Sequence, residues 1–365
     1  MKTKTFVMIA VLSTVAGMAS SARAGTGAPG AVFTMNNASN GNEVVMFSRA
    51  TNGALTFAGE AATGGLGTGA GLGNQGGVVL SEDHRWLFVV NAGSHEISVF
   101  AVGPDGITWS DKADSGGLNP VSLAVSGNLL YALNAGGSAG GSDNITGFTV
   151  SSSGKLEPLA GSTRGLSAAA TSPAEVGFTH DGNVLIVTEK NTSLIDTYAM
   201  DDHGLAISHR VFQSAGTRPF GFALDQKNHL LVTEAPASAV SSYAVTEDGG
   251  LELISKSVPN HQSAACWMAV TKNNRFGFDA NASANSVSGF RIQPDGSISL
   301  LNADGLTGAT GAGPNDMALT EDGYFLYTVN TTAGSISVFH VESNGALTPG
   351  AAVTVPVGSN GLAAY

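Results

Sequence analysis

A single module recurs along this chain, and its form leaves few folds open. The clearest copy begins at Gly313-Pro314 and runs through Met317-Ala318-Leu319-Thr320 and an acidic turn, Glu321-Asp322-Gly323. It then enters Phe325-Leu326-Tyr327-Thr328-Val329-Asn330, and a polar loop leads to Ser335-Ile336-Ser337-Val338-Phe339-His340-Val341. A turn ending at Gly345 and a last short run, Ala346-Leu347-Thr348, complete it. Each run has the length of a strand, and the Gly, Asp and Asn residues between them are turn formers. Four short strands in roughly 40–50 residues is the arithmetic of a propeller blade.

Further copies fall into register by offset. Trp86-Leu87-Phe88-Val89-Val90-Asn91 precedes Ile97-Ser98-Val99-Phe100, and Leu129-Leu130-Tyr131-Ala132-Leu133-Asn134 precedes Ile145-Thr146-Gly147-Phe148. The runs ending at Glu189, Glu234 and Asn281 repeat the pattern. The first copy, Ala31 to Asn36 followed by Val44 to Phe47, lacks an inner strand, and the chain ends on an inner strand, Gly361 to Tyr365, without the rest of its blade. These complementary orphans predict an all-β, seven-bladed β-propeller of four-stranded antiparallel blades, closed by pairing the last strand with the first. Closure of this kind removes free sheet edges, whereas a β-solenoid would need capping repeats at both ends. No linker interrupts the pattern, so residues 25–365 are expected to form one domain. The Gly-rich stretch Gly64–Gly77 reads as a long loop between the first two blades, because it lacks the strand-then-helix setting of a nucleotide-binding fingerprint.

The remaining composition bounds function. The 365 residues include 49 Gly but only 16 Lys and Arg against 28 Asp and Glu, a formal charge of −12. With no basic patch to meet a phosphate backbone, nucleic acid is excluded as a partner. Cys266 is the only cysteine, which rules out an internal disulfide and a Cys-based zinc site; its apolar neighbours Ala264 to Met268 predict a packed, inert thiol. Residues 1–24 read as a signal peptide: Lys2 and Lys4, an apolar run from Phe6 to Ala19, then Ala22-Arg23-Ala24 as the cleavage site. An exported protein, periplasmic or extracellular, follows as the expectation. It should be a monomer without a membrane span, since no other run approaches spanning length.

The Ser-Glu-Asp and Thr-Glu-Asp-Gly turns, strands such as Leu-Tyr-Thr-Val-Asn and third strands such as Ile-Ser-Val-Phe resemble those of the seven-bladed lactonase family. That family includes bacterial 6-phosphogluconolactonase-type enzymes and fungal carboxymuconate-lactonizing enzymes. The resemblance spans essentially the whole chain after residue 24 and implies a hydrolase or isomerase of lactones or sugar acids. The family's Gly-Pro-Arg-His motif at the start of an inner strand aligns with Gly313-Pro314-Asn315-Asp316, so Asn315 and Asp316 stand where the family has Arg and His. The corresponding positions in the other inner strands are Gly77, Ser122, Glu175, Gly221, Trp267 and Gly361.

The repeat also serves as an internal control for site residues. Loops entering the inner strands and loops leaving the second strands should share one face, around the central mouth. The second strands end in Asn36, Asn91, Asn134, Glu189, Glu234, Asn281 and Asn330. The asparagines read as turn chemistry, an amide capping local backbone, which makes the two glutamates the informative exceptions. Glu175, Glu189, Glu234 and Arg218 are therefore the candidate catalytic set, since crowded carboxylates raise one another's pKa and Arg can hold an anionic group. Asp316, Trp267, Asn330 and His261 are candidate ligand contacts at the same mouth. No motif requires a cofactor, although the carboxylates and amides there could hold a divalent cation through oxygen. The same residues also suit an ion-pair belt around a water-filled channel. Two functional readings stay open: a lactone-directed enzyme, or a non-catalytic propeller binding a small molecule, glycan, peptide or envelope protein.

Overall fold

The computed structural model describes residues 29–365; the segment read as a signal peptide lies outside them. Seven antiparallel sheets form a ring, each built around a core of four strands, successive in the chain in every blade but the first. Blade 1 comprises Gly30–Met35, Glu43–Arg49 and Leu55–Ala62, and its inner strand is the chain's last, Asn360–Ala364. The inner strands of blades 2 to 7 are Val78–Leu80, Pro120–Ser126, Pro173–Phe178, Pro219–Leu224, Ala265–Val270 and Pro314–Leu319. The closing register pairs Val32 with Ala364, Phe33 with Ala363 and Met35 with Asn360. Closure is tight as well as complete. A Cβ on Gly30 would lie 1.8 Å from the Tyr365 carbonyl oxygen, and Arg49 Nε donates to that same oxygen at 2.9 Å.

Two sequence patterns explain the blades. Second strands are near-continuous apolar runs because neighbouring blades cover both their faces; Leu129–Asn134, Val184–Glu189 and Phe325–Asn330 are buried almost throughout. Outer strands face solvent on one side, so Ala206–Gln213 is largely exposed. The acidic turns have a repeated local chemistry. Ser81, Thr179 and Thr320 each donate a hydroxyl to the Asp two residues on, at 2.6 Å in all three. The same hydroxyls accept the backbone N–H of Trp86, Val184 and Phe325, which locks the hairpin between inner and second strands.

The inner strands share a burial gradient that orients the axis. Pro173–Phe178, Pro219–Leu224 and Ala265–Val270 are each buried over their first four residues and half-buried over their last two. The channel is thus closed where inner strands begin and open where they run into the acidic turns.

Candidate functional site

The closed end is made by the Gly-rich loop. Residues 73–75 lie across the mouth on which the sequence reading centred the ligand site, bonded to blades 3, 4 and 6. Asn74 Nδ2 donates to the Val121 carbonyl, and Gln75 N to the Ala174 carbonyl at 3.1 Å. Gln75 Nε2 donates to Met268 O at 2.7 Å while its Oε1 accepts Met268 N–H at 2.9 Å. Trp267 Nε1 donates to Asn74 O at 2.7 Å. Lys190 donates to the carbonyls of Gly73 and Pro173 and lies over the Phe220 ring, 4.9 Å from its centroid; burial pulls its ammonium down to about 8. Glycines supply the room: a Cβ on Gly221 would stand 2.1 Å from Gln75 Oε1. The expected ligand mouth is thus filled by the chain's own plug.

Just below the plug, a bulge recurs at the start of the inner strands. The register shifts between Pro120 and Ser122, Pro173 and Glu175, Ala265 and Trp267, and Pro314 and Asp316. A bulge re-aims the side chain that follows it, and here it places these residues in one layer around the axis. The layer ties blade to blade. Ser122 Oγ accepts Val176 N–H at 3.2 Å, and Glu175 Oε2 accepts Phe222 N–H at 2.5 Å. Gln75 makes the corresponding bond to Met268 in place of the side chain that Gly221 lacks. Asp316 accepts Met317 N–H at 2.8 Å through Oδ1 and Gly76 N–H at 3.2 Å through Oδ2.

Glu175 and Asp316 are the two carboxyls of this layer, and both face an axial cavity of about 430 Å³ that opens toward Glu82 and His180. Asp316 is 2% exposed and Glu175 9%. Burial is the main reason both carboxyls are hard to ionise. It pushes Asp316 up to about 7 against the N–H bonds that favour its charge. Glu175, with one such bond and the Asp316 charge acting on it, is raised well above the carboxylate range. Two carboxyls whose environments separate their affinities for protons can divide acid and base roles between them.

The other predicted residues lie elsewhere. Glu189 and Glu234 are fully buried inside their own blades, away from the axis. Glu189 accepts Ser167 N–H at 2.9 Å together with the hydroxyls of Ser167 and Thr192; burial, with Asp196 adjacent, raises its pKa. Glu234 accepts the hydroxyls of Ser241 and Ser257. Arg218 is exposed and forms no ion pair with either, so the four-residue constellation is not assembled. Of the asparagines at the same position, Asn36 is a turn cap, its Oδ1 accepting the N–H groups of Ala38 and Glu43 at 3.1 and 3.0 Å, while three others bridge strands instead. Asn91, Asn281 and Asn330 each donate across to the serine seven residues on, at 2.8, 2.9 and 2.9 Å. This is a bond between second and third strands, and the recurring Asn-to-Ser spacing was its sequence signal. Trp267 belongs to the plug's seat, while His261 is an exposed loop residue. Cys266 is buried, its thiol pushed up to about 12 chiefly by burial. Among the described residues no cluster of three or more His, Cys, Asp or Glu is placed to hold a metal ion. Sequence reasoning missed Gln75, which reads as one more residue of a Gly-rich loop, and His180, which reads as a turn residue.

A groove of about 560 Å³ on the plugged face is lined by Asp143 and Lys190, but both are committed to structure. Asp143 takes up the N–H groups of Gly137, Thr171 and Ser172. The axial cavity is the stronger candidate because its carboxyls have hydrogen-bonding capacity left.

Comparison with known proteins agrees with the architecture. The family model described as lactonase, 7-bladed beta-propeller matches residues 31–170 and 142–266. No curated protein sequence matches significantly. Among solved structures, a Bacteroides uniformis protein proposed to be a 6-phosphogluconolactonase superposes with TM-score 0.76 at 17% identity, covering 92% of this chain and 99% of its own. The periplasmic gluconolactonase of Pseudomonas aeruginosa superposes with TM-score 0.74 at 16% identity, covering 92% and 99%. A Bacteroides fragilis protein, also proposed to be a 6-phosphogluconolactonase, gives TM-score 0.72 at 16% identity, with 92% and 98% covered. At these identities the structural likeness speaks for the fold alone.

Proposed function

The chain belongs to the seven-bladed β-propeller lactonase family, and from that premise we propose that it hydrolyses lactones in the axial cavity, with Glu175 and Asp316 as the acid–base pair. The observation that carries the reading is the placement of two carboxyls of different proton affinity at the closed end of one cavity.

The chemistry needs no other group. Asp316, held toward its charged form by backbone N–H donors, takes a proton from water as the water oxygen adds to the lactone carbonyl carbon. Glu175, the harder of the two to ionise, gives its proton to the carbonyl oxygen, which would otherwise carry the developing charge. When the tetrahedral intermediate collapses, that oxygen returns its proton to Glu175. The ring C–O bond breaks, and the leaving oxygen takes the proton held by Asp316. One water is consumed, a hydroxy acid is formed, and both carboxyls regain their starting states.

This division predicts a bell-shaped pH profile: activity rises as Asp316 ionises near pH 7 and falls at higher pH as Glu175 loses its proton. Glu175→Gln and Asp316→Asn should each lower kcat by about 10²–10⁴-fold, measured as acid release from a lactone at constant pH. Undiminished turnover in either variant would refute the assignment, and would favour a non-catalytic propeller in which the carboxyls only tie blades together. The signal-like segment Lys2 to Ala24 supports a place for this activity outside the cytoplasm.

A further inference from the structure

Resting on that reading, we propose that the cavity is built for uncharged lactones, and that it rejects phosphorylated sugar lactones. The charged side chains lining it, among the described residues, are Glu82, Glu175 and Asp316, all acidic; no Lys or Arg lines it, and its one imidazole, His180, sits exposed at the rim. Cations on the turns of that face have partners of their own: Lys272 pairs with Glu321, Arg85 with Asp83 at 3.9 Å, Lys227 donates to the Pro294 carbonyl at 3.0 Å, and Arg275 lies over the Phe276 ring. Lys190 lies beyond the plug and is bonded to it. A phosphate monoester carries close to two negative charges at neutral pH, and binding one normally requires Arg, Lys or a cradle of free N–H groups. Here the N–H groups of Gly76, Val176, Phe222 and Met317 are occupied by the layer's own acceptors.

The walls point the same way. Val79, Val125, Phe178 and Leu319, half-buried on their inner strands, line it together with Ser126 and Thr179, a mixed and uncharged wall suited to a neutral ring. Acidity at the closed end also suits the product. Hydrolysis turns a neutral ester into a hydroxy acid that ionises at neutral pH, and like charge then drives it out.

The experiment compares kcat/KM of the full chain on δ-nonalactone, glucono-δ-lactone and 6-phosphoglucono-δ-lactone. Both uncharged lactones should exceed the phosphorylated one by at least about 100-fold, a ratio within the range that charge discrimination provides. In Ser126→Arg, which places a cation at the open end, the ratio should fall about tenfold or more, with Val125→Arg as a second variant should the first fail to fold. A phosphorylated substrate turned over as well as the uncharged lactones, or a ratio that no introduced cation moves, would overturn the inference and leave lactone hydrolysis standing. Hydrolysis of none of the three by folded protein would overturn the lactonase reading itself, and the inference with it.

Discussion

Asp316→Asn separates the electrostatic reading of the axial layer from a merely geometric one. In the folded protein the Asp316 carboxyl is raised from 3.8 to about 7, mainly by burial. A carboxyl raised in this way binds its proton more tightly folded than unfolded. Its contribution is therefore most favourable below the unfolded value, is lost as pH climbs from about 4 to about 7, and stays lost above that. Roughly three units at about 1.4 kcal/mol each make that loss about 4 kcal/mol as an upper bound. Asparagine does not titrate, so the variant escapes the loss. It incurs another: one amide oxygen cannot accept from both Met317 N and Gly76 N, and its NH₂ would face one of those donors, at a cost of about 1–3 kcal/mol. The variant should accordingly be less stable than wild type near pH 4, and equal to it or more stable near pH 8. Removing the Asp316 charge also eases the ionisation of Glu175, which acts in the same direction. Urea unfolding followed by Trp fluorescence across this pH range gives the difference directly, and Asp279 and Glu189 cancel from it. A difference that stays flat within about 0.5 kcal/mol, or falls with pH, would refute the claim that burial holds a proton on Asp316.

Two further outcomes bear on the plug and on the chain's start. Gly221→Ala would place a Cβ 2.1 Å from Gln75 Oε1 and 2.6 Å from the Cys266 carbonyl oxygen. It should cost about 2–4 kcal/mol by thermal unfolding, and Gln75→Ala in the same chain should recover part of that; strictly additive losses would mean the plug is not what Gly221 accommodates. Cleavage after Ala24 should leave Gly25 as the first residue of the protein recovered outside the cytoplasm, as N-terminal sequencing would report; recovery of an intact Met1 from the cytosol would contradict it.

The ring was legible in the chain because each blade is a local event. Strand, turn and strand lie within a few residues of one another, and the repeat states the same instruction seven times. Even its closure could be read, since a first blade without an inner strand and a last strand without a blade can be satisfied only by each other. Half of the axial carboxyl pair could be picked out as a catalytic candidate in the same way: Glu175 breaks the repeat at an inner-strand start, and Asp316 stands at the same position, although it read as a ligand contact. Glu189 and Glu234 break the repeat just as plainly, yet they answer to hydroxyls inside their own blades. Position within a repeat does not say whether a side chain points toward the axis or into the sheet; a bulge of one residue decides that, and bulges leave no consistent mark in sequence. The plug is the clearest case of what only tertiary structure decided. Gly64–Gly77 has no periodicity because its order comes from Val121, Ala174, Trp267 and Met268, up to 193 residues away. By filling one end of the channel it transfers the accessible site to the other.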